Sequence, residues 1–171
     1  DFTGKIFCAD IGITRRSFSD KTPEMFTYTE PVSEVLQKRA KDGNKGTFGK
    51  VLLIAGSKDM AGAALLAGES AFRSGAGMVK IVSCEDNRMI LQERLPEAML
   101  LTYPSESFAL ELQASLDWAD SVAVGPGLSQ SQQAEAILEF ILKECSVPLV
   151  LDADALNLLA QKKHLQEAAM K

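Results

Sequence analysis

From Gly49 onward the chain repeats one rhythm, and that rhythm constrains its fold more than any other feature. "KVLLIAGS" is apolar at successive positions and ends in Gly56. That is the pattern of a strand buried on both faces. "MVKIVS", "PEAMLLTY", "SVAVGPG" and "VPLVLDADAL" read the same way, the last turning directly into a helix. Helical stretches lie between them. "GAALLAGESAFRSGAG" is rich in small residues and is closed by Gly75 and Gly77. "DNRMILQERL" and "SFALELQASLDWAD" come next, and then "SQSQQAEAILEFILKEC", with Ser129 or Ser131 as its cap. Strands alternating with helices in this way imply an α/β fold, a mostly parallel sheet with helices on both faces. No internal repeat or low-complexity tract interrupts the pattern.

The residues before Gly49 read differently. "GKIFCADIGIT", within residues 1–16, fits a single strand, and "SFSDKTPEMFTYTEP" is a polar linker with two prolines. "VSEVLQKRAKDGNKG" patterns as a short amphipathic helix, with Val32, Val35 and Leu36 on one face and Gly43 as a stop. The net charge of −5 argues against a nucleic-acid footprint. The basic groups Arg15–Arg16 and Lys38–Lys45 are short and read as solvated segments. Cys8, Cys84 and Cys145 are widely spaced, which fits reduced thiols in a cytoplasmic protein rather than a disulfide framework or a zinc site. No stretch has the length of a membrane span, and the N-terminus lacks a signal-peptide profile. The first residue is Asp1, which fits an excised piece of a longer chain.

In parallel sheets, ligands bind beyond the carboxyl ends of the strands. Three such ends are unusual here: "AGSKDMAGAA", "GPGLSQS" and "LDADALN". The first is neither a P-loop nor a dinucleotide fingerprint, because its glycine spacing and missing Lys-Ser/Thr fit neither pattern. Gly62, Ala63 and Ala64 would let a ligand approach backbone amides at a helix start. Tight helix-on-sheet packing explains the same small residues equally well. In the second end, Gly125 and Gly127 permit a sharp turn around Pro126, and the N–H groups of Gly127 and Leu128 are expected to face outward. A plain turn would have the same composition. In the third, Asp154 is expected to cap the helix after it. Asp152 is then the better ligand or metal-water contact, and Asn157 lies one turn on. His164, the single histidine, sits in a polar stretch and is expected at the surface. Trp118 and the methionines suit packing.

Taken together, "KGTFGKVLLIAGSKDMAGAALLAGESAFRSGAGMVKIVS", "LPEAML", "VGPGL" and "LDADALN" resemble, in order, the NAD(P)H-hydrate dehydratases of the ribokinase-like superfamily. The likeness covers most of the chain from about Lys45. "GKIFCADIGIT" is similar to the closing strand of the NAD(P)H-hydrate epimerase domain that precedes the dehydratase in bifunctional members. The resemblance therefore implies three parts: residues 1–16 ending an epimerase-like domain, a linker over 17–31, and the N-terminal part of a dehydratase domain over 32–171.

The activity it implies is repair of NADH or NADPH hydrated across a nicotinamide double bond. Water is removed at the expense of ADP, or ATP, with Mg2+; the hydroxyl is phosphorylated and phosphate is then eliminated. Ala63 and Gly127 would contact the hydrated dinucleotide, with Gly62, Ala64, Gly125, Asp152 and Asn157 around them. The family often has His where this chain has Asn44, and Gly where it has Ser129. Its Thr-Pro-His segment, Lys-Gly strand and Gly-Thr-Gly-Asp motif would lie beyond Lys171. The resemblance thus implies a fragment, with a sheet incomplete at its C-terminal side, no catalytic residue or metal ligand of its own, and no activity alone. An open sheet edge would need support from the rest of the protein or from other copies in a homo-oligomer. Two other readings fit the same sheet: a ribokinase-like small-molecule kinase, or a non-catalytic dinucleotide-binding module.

Overall fold

A computed structural model describes residues 39, 41–104 and 108–170. The chain divides into two compact units, Asp1–Arg39 and Ala40–Lys171. The strand expected within residues 1–16, the linker over 17–31 and most of the helix expected from Val32 lie outside the described residues; the described end of that stretch, residues 39 and 41–43, is turn and irregular chain rather than helix.

The second unit is an α/β fold. A turn of 3-10 helix, Lys45–Phe48, precedes β1 (Lys50–Ile54). Then come α1 (Ala61–Arg73), β2 (Met78–Cys84), a 3-10 turn at Glu85–Asn87 and α2 (Arg88–Arg94). After these lie β3 (Met99–Tyr103), α3 (Phe108–Trp118), β4 (Ser121–Val124) and α4 (Gln132–Glu144). The chain then adds β5 (Leu149–Leu151), α5 (Asp154–Gln161) and α6 (Lys163–Ala169). The strands form one sheet in the order β3-β2-β1-β4-β5, with every pairing parallel. These are the elements expected from the apolar runs and their spacing; α6 is an addition.

Alternation along each strand sorts side chains between two cores. Leu52 and Ile54 of β1, Val82 of β2 and Val122 and Val124 of β4 face α3, α4, α5 and α6. Leu53, Val79 and Ile81 face α1 and α2. Leu52, Ile54, Leu138 and Ile141 are fully buried, each worth roughly 1.5–3 kcal/mol relative to exposure. The small residues of α1 let it lie close on the sheet. A Cβ at Gly68 would come within 2.6 Å of Leu95 and 2.9 Å of Ile81. Trp118 packs at the rim of the first core, with Lys80 Nζ 4.7 Å from its ring centre and 3.2 Å from Ser115 Oγ. Burial pushes the Lys80 amine below its ordinary value.

Among the described residues β5 pairs with β4 alone, and Val150 on it is 61% exposed. Leu66 on α1 is likewise 66% exposed. Among the described residues no helix is long and apolar enough to cross a membrane.

Candidate functional site at the strand reversal

Strand order runs outward from β1 in both directions: β2 and β3 on one side, β4 and β5 on the other. The strands β1 and β4 stay paired to their carboxyl ends, and the connections leaving them run to opposite faces. The crevice between such connections is where open α/β sheets bind ligands. The three unusual loops of the sequence leave β1, β4 and β5 at this edge.

Backbone hydrogen bonds stitch these loops together. Gly56 N–H donates to Pro126 O at 2.9 Å, Gly125 N–H to Ile54 O at 3.0 Å, and Asp152 N–H to Val124 O at 3.0 Å. Each loop also holds one non-glycine residue in the left-handed region: Asp59 (φ 68°), Ser129 (φ 70°) and Ala153 (φ 45°). Such conformations cost roughly 1–3 kcal/mol each and gather where function imposes a backbone path. Among the described residues these are the only non-glycine residues with positive φ.

Ala63 and Gly127, far apart in sequence, meet here. A Cβ added to Gly127 (φ 61°) would sit 2.7 Å from the Ala63 Cβ. The absence of a side chain at Gly127 is what lets α1 and the turn after β4 approach. Gly125 (φ 128°) is confined more severely, since a Cβ there would sit 1.8 Å from Asp152 O. Gly62 is exposed at the start of α1. Ala64 is fully buried, packed beside Gly56, so its side chain belongs to the core. Asp152 and Asn157 are both exposed.

Two local expectations are corrected. Asp154 does not cap α5: Ala153 occupies the cap position and makes no side-chain cap bond. The Asp154 carboxylate instead accepts Ser129 N–H at 2.8 Å and Asn157 Nδ2–H at 3.2 Å, tying the turn after β4 to α5. The Leu128 N–H does not face outward; it donates to Gly125 O at 3.0 Å, closing the turn. Of the two caps considered for α4, Ser131 is the one used, accepting Ala134 N–H at 3.2 Å.

Sequence reasoning missed a buried polar group beneath the first loop. Gly56 O accepts from Ser83 Oγ and from the Tyr103 hydroxyl, each at 3.1 Å. Asn87 Nδ2 donates to Ser57 O at 3.0 Å and to Ser83 Oγ at 2.9 Å. A polar residue late in an apolar strand was the available signal, because a buried hydroxyl must find a partner. Burial, and then the neighbouring Cys84, push the Tyr103 phenol up to about 12. Burial likewise raises the Cys84 thiol. Nearby, hydrogen bonds from Arg88 and then from Thr102 hold the Glu85 carboxyl down at about 2. Arg88 Nε lies 2.6 Å from Glu85 Oε1.

A cavity of about 320 Å³ opens beside this group, lined by Ser57, Lys58, Tyr103, Leu128 and Ser129 among others. Ala63, Gly127, Asp152 and Asn157 lie outside its lining. The lone histidine, His164 on α6, lies 3.3 Å from Glu135, is 45% exposed and is not among the residues lining this cavity. Among the described residues no group of three or more His, Cys, Asp or Glu side chains is placed to hold a metal ion.

A parallel sheet whose strand order reverses beside glycine-built loops defines a doubly wound α/β protein. A solved ribokinase-like superfamily protein of Enterococcus faecalis superposes with a TM-score of 0.66 at 31% identity, over 72% of this chain and 43% of that one. The family model for NAD(P)H-hydrate dehydratase matches residues 51–171, and the chain belongs to that family. It is 39% identical, over 136 residues, to the ADP-dependent (S)-NAD(P)H-hydrate dehydratase of Lactiplantibacillus plantarum, covering 78% of this chain and 48% of the relative. It is 34% identical, over 167 residues, to the bifunctional NAD(P)H-hydrate repair enzyme of Escherichia coli, covering 96% of this chain and 32% of that protein. The ADP/ATP-dependent dehydratase of Bacillus subtilis, crystallised with ATP/Mg2+, superposes with a TM-score of 0.58 at 35% identity, over 71% of this chain and 43% of that one. The chain thus spans half or less of the length of these relatives.

Proposed function

We propose that the protein to which this chain belongs restores NADH and NADPH from their hydrates at the expense of ADP or ATP, with Mg2+, and that this chain forms part of the wall that holds the hydrated dinucleotide. Family membership supports the reaction. The observation that carries the local assignment is the approach of Ala63 to Gly127, whose missing Cβ would lie 2.7 Å from the Ala63 Cβ. It brings two glycine- and alanine-built backbones to one point of the crevice, where a flat ring and its ribose can lie against main chain. Gly62 and Gly125 extend that surface, Asp152 and Asn157 offer polar groups beside it, and Ala64 supports it from the core. The nucleotide supplies the phosphoryl group that makes the substrate hydroxyl a leaving group. These residues bind and orient; they hold no catalytic proton.

On this reading residues 1–16 end an epimerase-like domain, residues 17–31 are a linker and residues 32–171 begin the dehydratase domain. The full-length protein then also epimerises hydrates, works in the cytoplasm and assembles as a homo-oligomer that covers the open face beside β5. The test is to incubate the full-length protein with hydrated NADH or NADPH, ADP and Mg2+, and to monitor the return of reduced-nicotinamide absorbance with phosphate release. Turnover on sugars or other alcohols, with none on the hydrates, would replace the reading by a small-molecule kinase. Binding of NADPH with no turnover of any of these substrates would point to a non-catalytic module.

A further inference from the structure

We propose that Asn87 is a positioning residue of this site: its amide fixes the loop after β1 against the turn after β4 and so sets the surface that receives the hydrated dinucleotide. The proposal rests on the functional reading above and adds a residue remote in sequence from the loop it controls. Asn87 ends the 3-10 turn after β2 and is 2% exposed. Its Nδ2 has two hydrogens, and both are engaged. One goes to Ser57 O at 3.0 Å and the other to Ser83 Oγ at 2.9 Å. The Ser83 hydroxyl in turn donates a hydrogen bond to Gly56 O at 3.1 Å. Two consecutive loop carbonyls are thereby held from one point.

Those carbonyls set the path of the chain into α1. Ser57 O also accepts Met60 N–H at 2.9 Å, which closes the turn at the head of that helix. Ala63 lies one helical turn further on, against Gly127. On its other side, Gly56 N–H reaches Pro126 O. Rotation of the Gly56–Ser57 peptides would therefore shift both walls of the crevice together. The anchor itself is fixed, because Glu85 at the head of the same turn is bonded to Arg88 and Thr102.

Asn87 directs its donors to the loop and to Ser83, and Lys58, Asp59 and Met60 in that loop are exposed. Loss of its bonds should release the loop more than the sheet. The side-chain chemistry is also specific. Aspartate has the same shape but no donor when ionised, and it would place a charge against Ser57 O.

The test uses the full-length protein carrying Asn87→Asp, with Asn87→Ala as the second variant if the first does not fold. In steady state, the KM for the hydrated dinucleotide should rise by about tenfold while the KM for ADP stays within about twofold. Hydrogen exchange should quicken at the amides of residues 57–62 and stay unchanged in β1 and β2. Unaltered exchange at 57–62, or an unaltered hydrate KM, would overturn the proposal. So would a uniform loss of protection across the sheet, which would mark a purely structural residue. A wild-type protein without turnover would refute the functional reading instead, and the exchange measurement would still decide whether Asn87 holds the loop.

Discussion

The contact between Ala63 and Gly127 makes a quantitative prediction. Gly127→Ala places a methyl 2.7 Å from the Ala63 Cβ, at a backbone φ of 61°. The left-handed conformation costs an L-residue about 1 kcal/mol, and forcing a methyl into packed space costs roughly 1–3 kcal/mol. The single change should therefore destabilise by about 2–4 kcal/mol. The Met60 Cε, 3.4 Å from the new methyl, can swing aside; the Met60 Cβ, at 3.3 Å, is fixed by the backbone, and its milder crowding is common to both Gly127→Ala variants and cancels in the coupling. Ala63→Gly alone should cost about 1 kcal/mol through helix propensity. In the double variant the clash disappears and only the two backbone costs remain, about 2 kcal/mol in all. The sum of the singles is about 3–5 kcal/mol, so the coupling should be about 1–3 kcal/mol. Urea unfolding of the four full-length proteins measures it through their midpoints. Additivity within about 0.5 kcal/mol would show that the two loops do not touch, and with that the case for a shared ligand wall here would fall.

Ser129 holds a φ of 70°, so Ser129→Gly should raise stability by about 1 kcal/mol. The bond from its backbone N–H to Asp154 survives that change, and a lower urea midpoint would contradict the strain argument. Tyr103→Phe should cost about 1 kcal/mol near neutral pH by removing one of two donors to Gly56 O. It should also flatten the alkaline limb. The folded phenol titrates at about 12, against roughly 10 unfolded. Its contribution is complete below the unfolded value and is lost as pH rises through that window. Wild-type stability should fall more steeply there than that of Tyr103→Phe, and identical pH profiles would refute the assignment.

Most of the fold was legible in the chain because its signals are local. Runs such as "VLLIA", apolar at consecutive positions, and "MVKIVS", branched and broken only by Lys80, are short and each flanked by a glycine, which fits strands covered on both faces. The heavy use of Gly and Ala after β1 and β4 marked two of the loops. Composition could not separate packing from binding within them. The structure separates Ala64, which is fully buried, from Gly62, which is exposed two residues earlier. Asp154 departs from expectation because a carboxylate at a helix start is ordinarily a cap, whereas here a distant amide, that of Ser129, takes it.

By itself, then, the sequence determined the parallel α/β class, the succession of strands and helices and the three strand ends where a ligand could sit. Each of these arises from the side-chain period and turn chemistry of neighbouring residues. Tertiary structure alone decided that the strand order reverses between β1 and β4, that Ala63 meets Gly127, and that Asn87, Ser83 and Tyr103 converge under Gly56 and Ser57. Those outcomes depend on which strands pair and on hydrogen bonds between residues some 27 to 47 positions apart. No local periodicity encodes them.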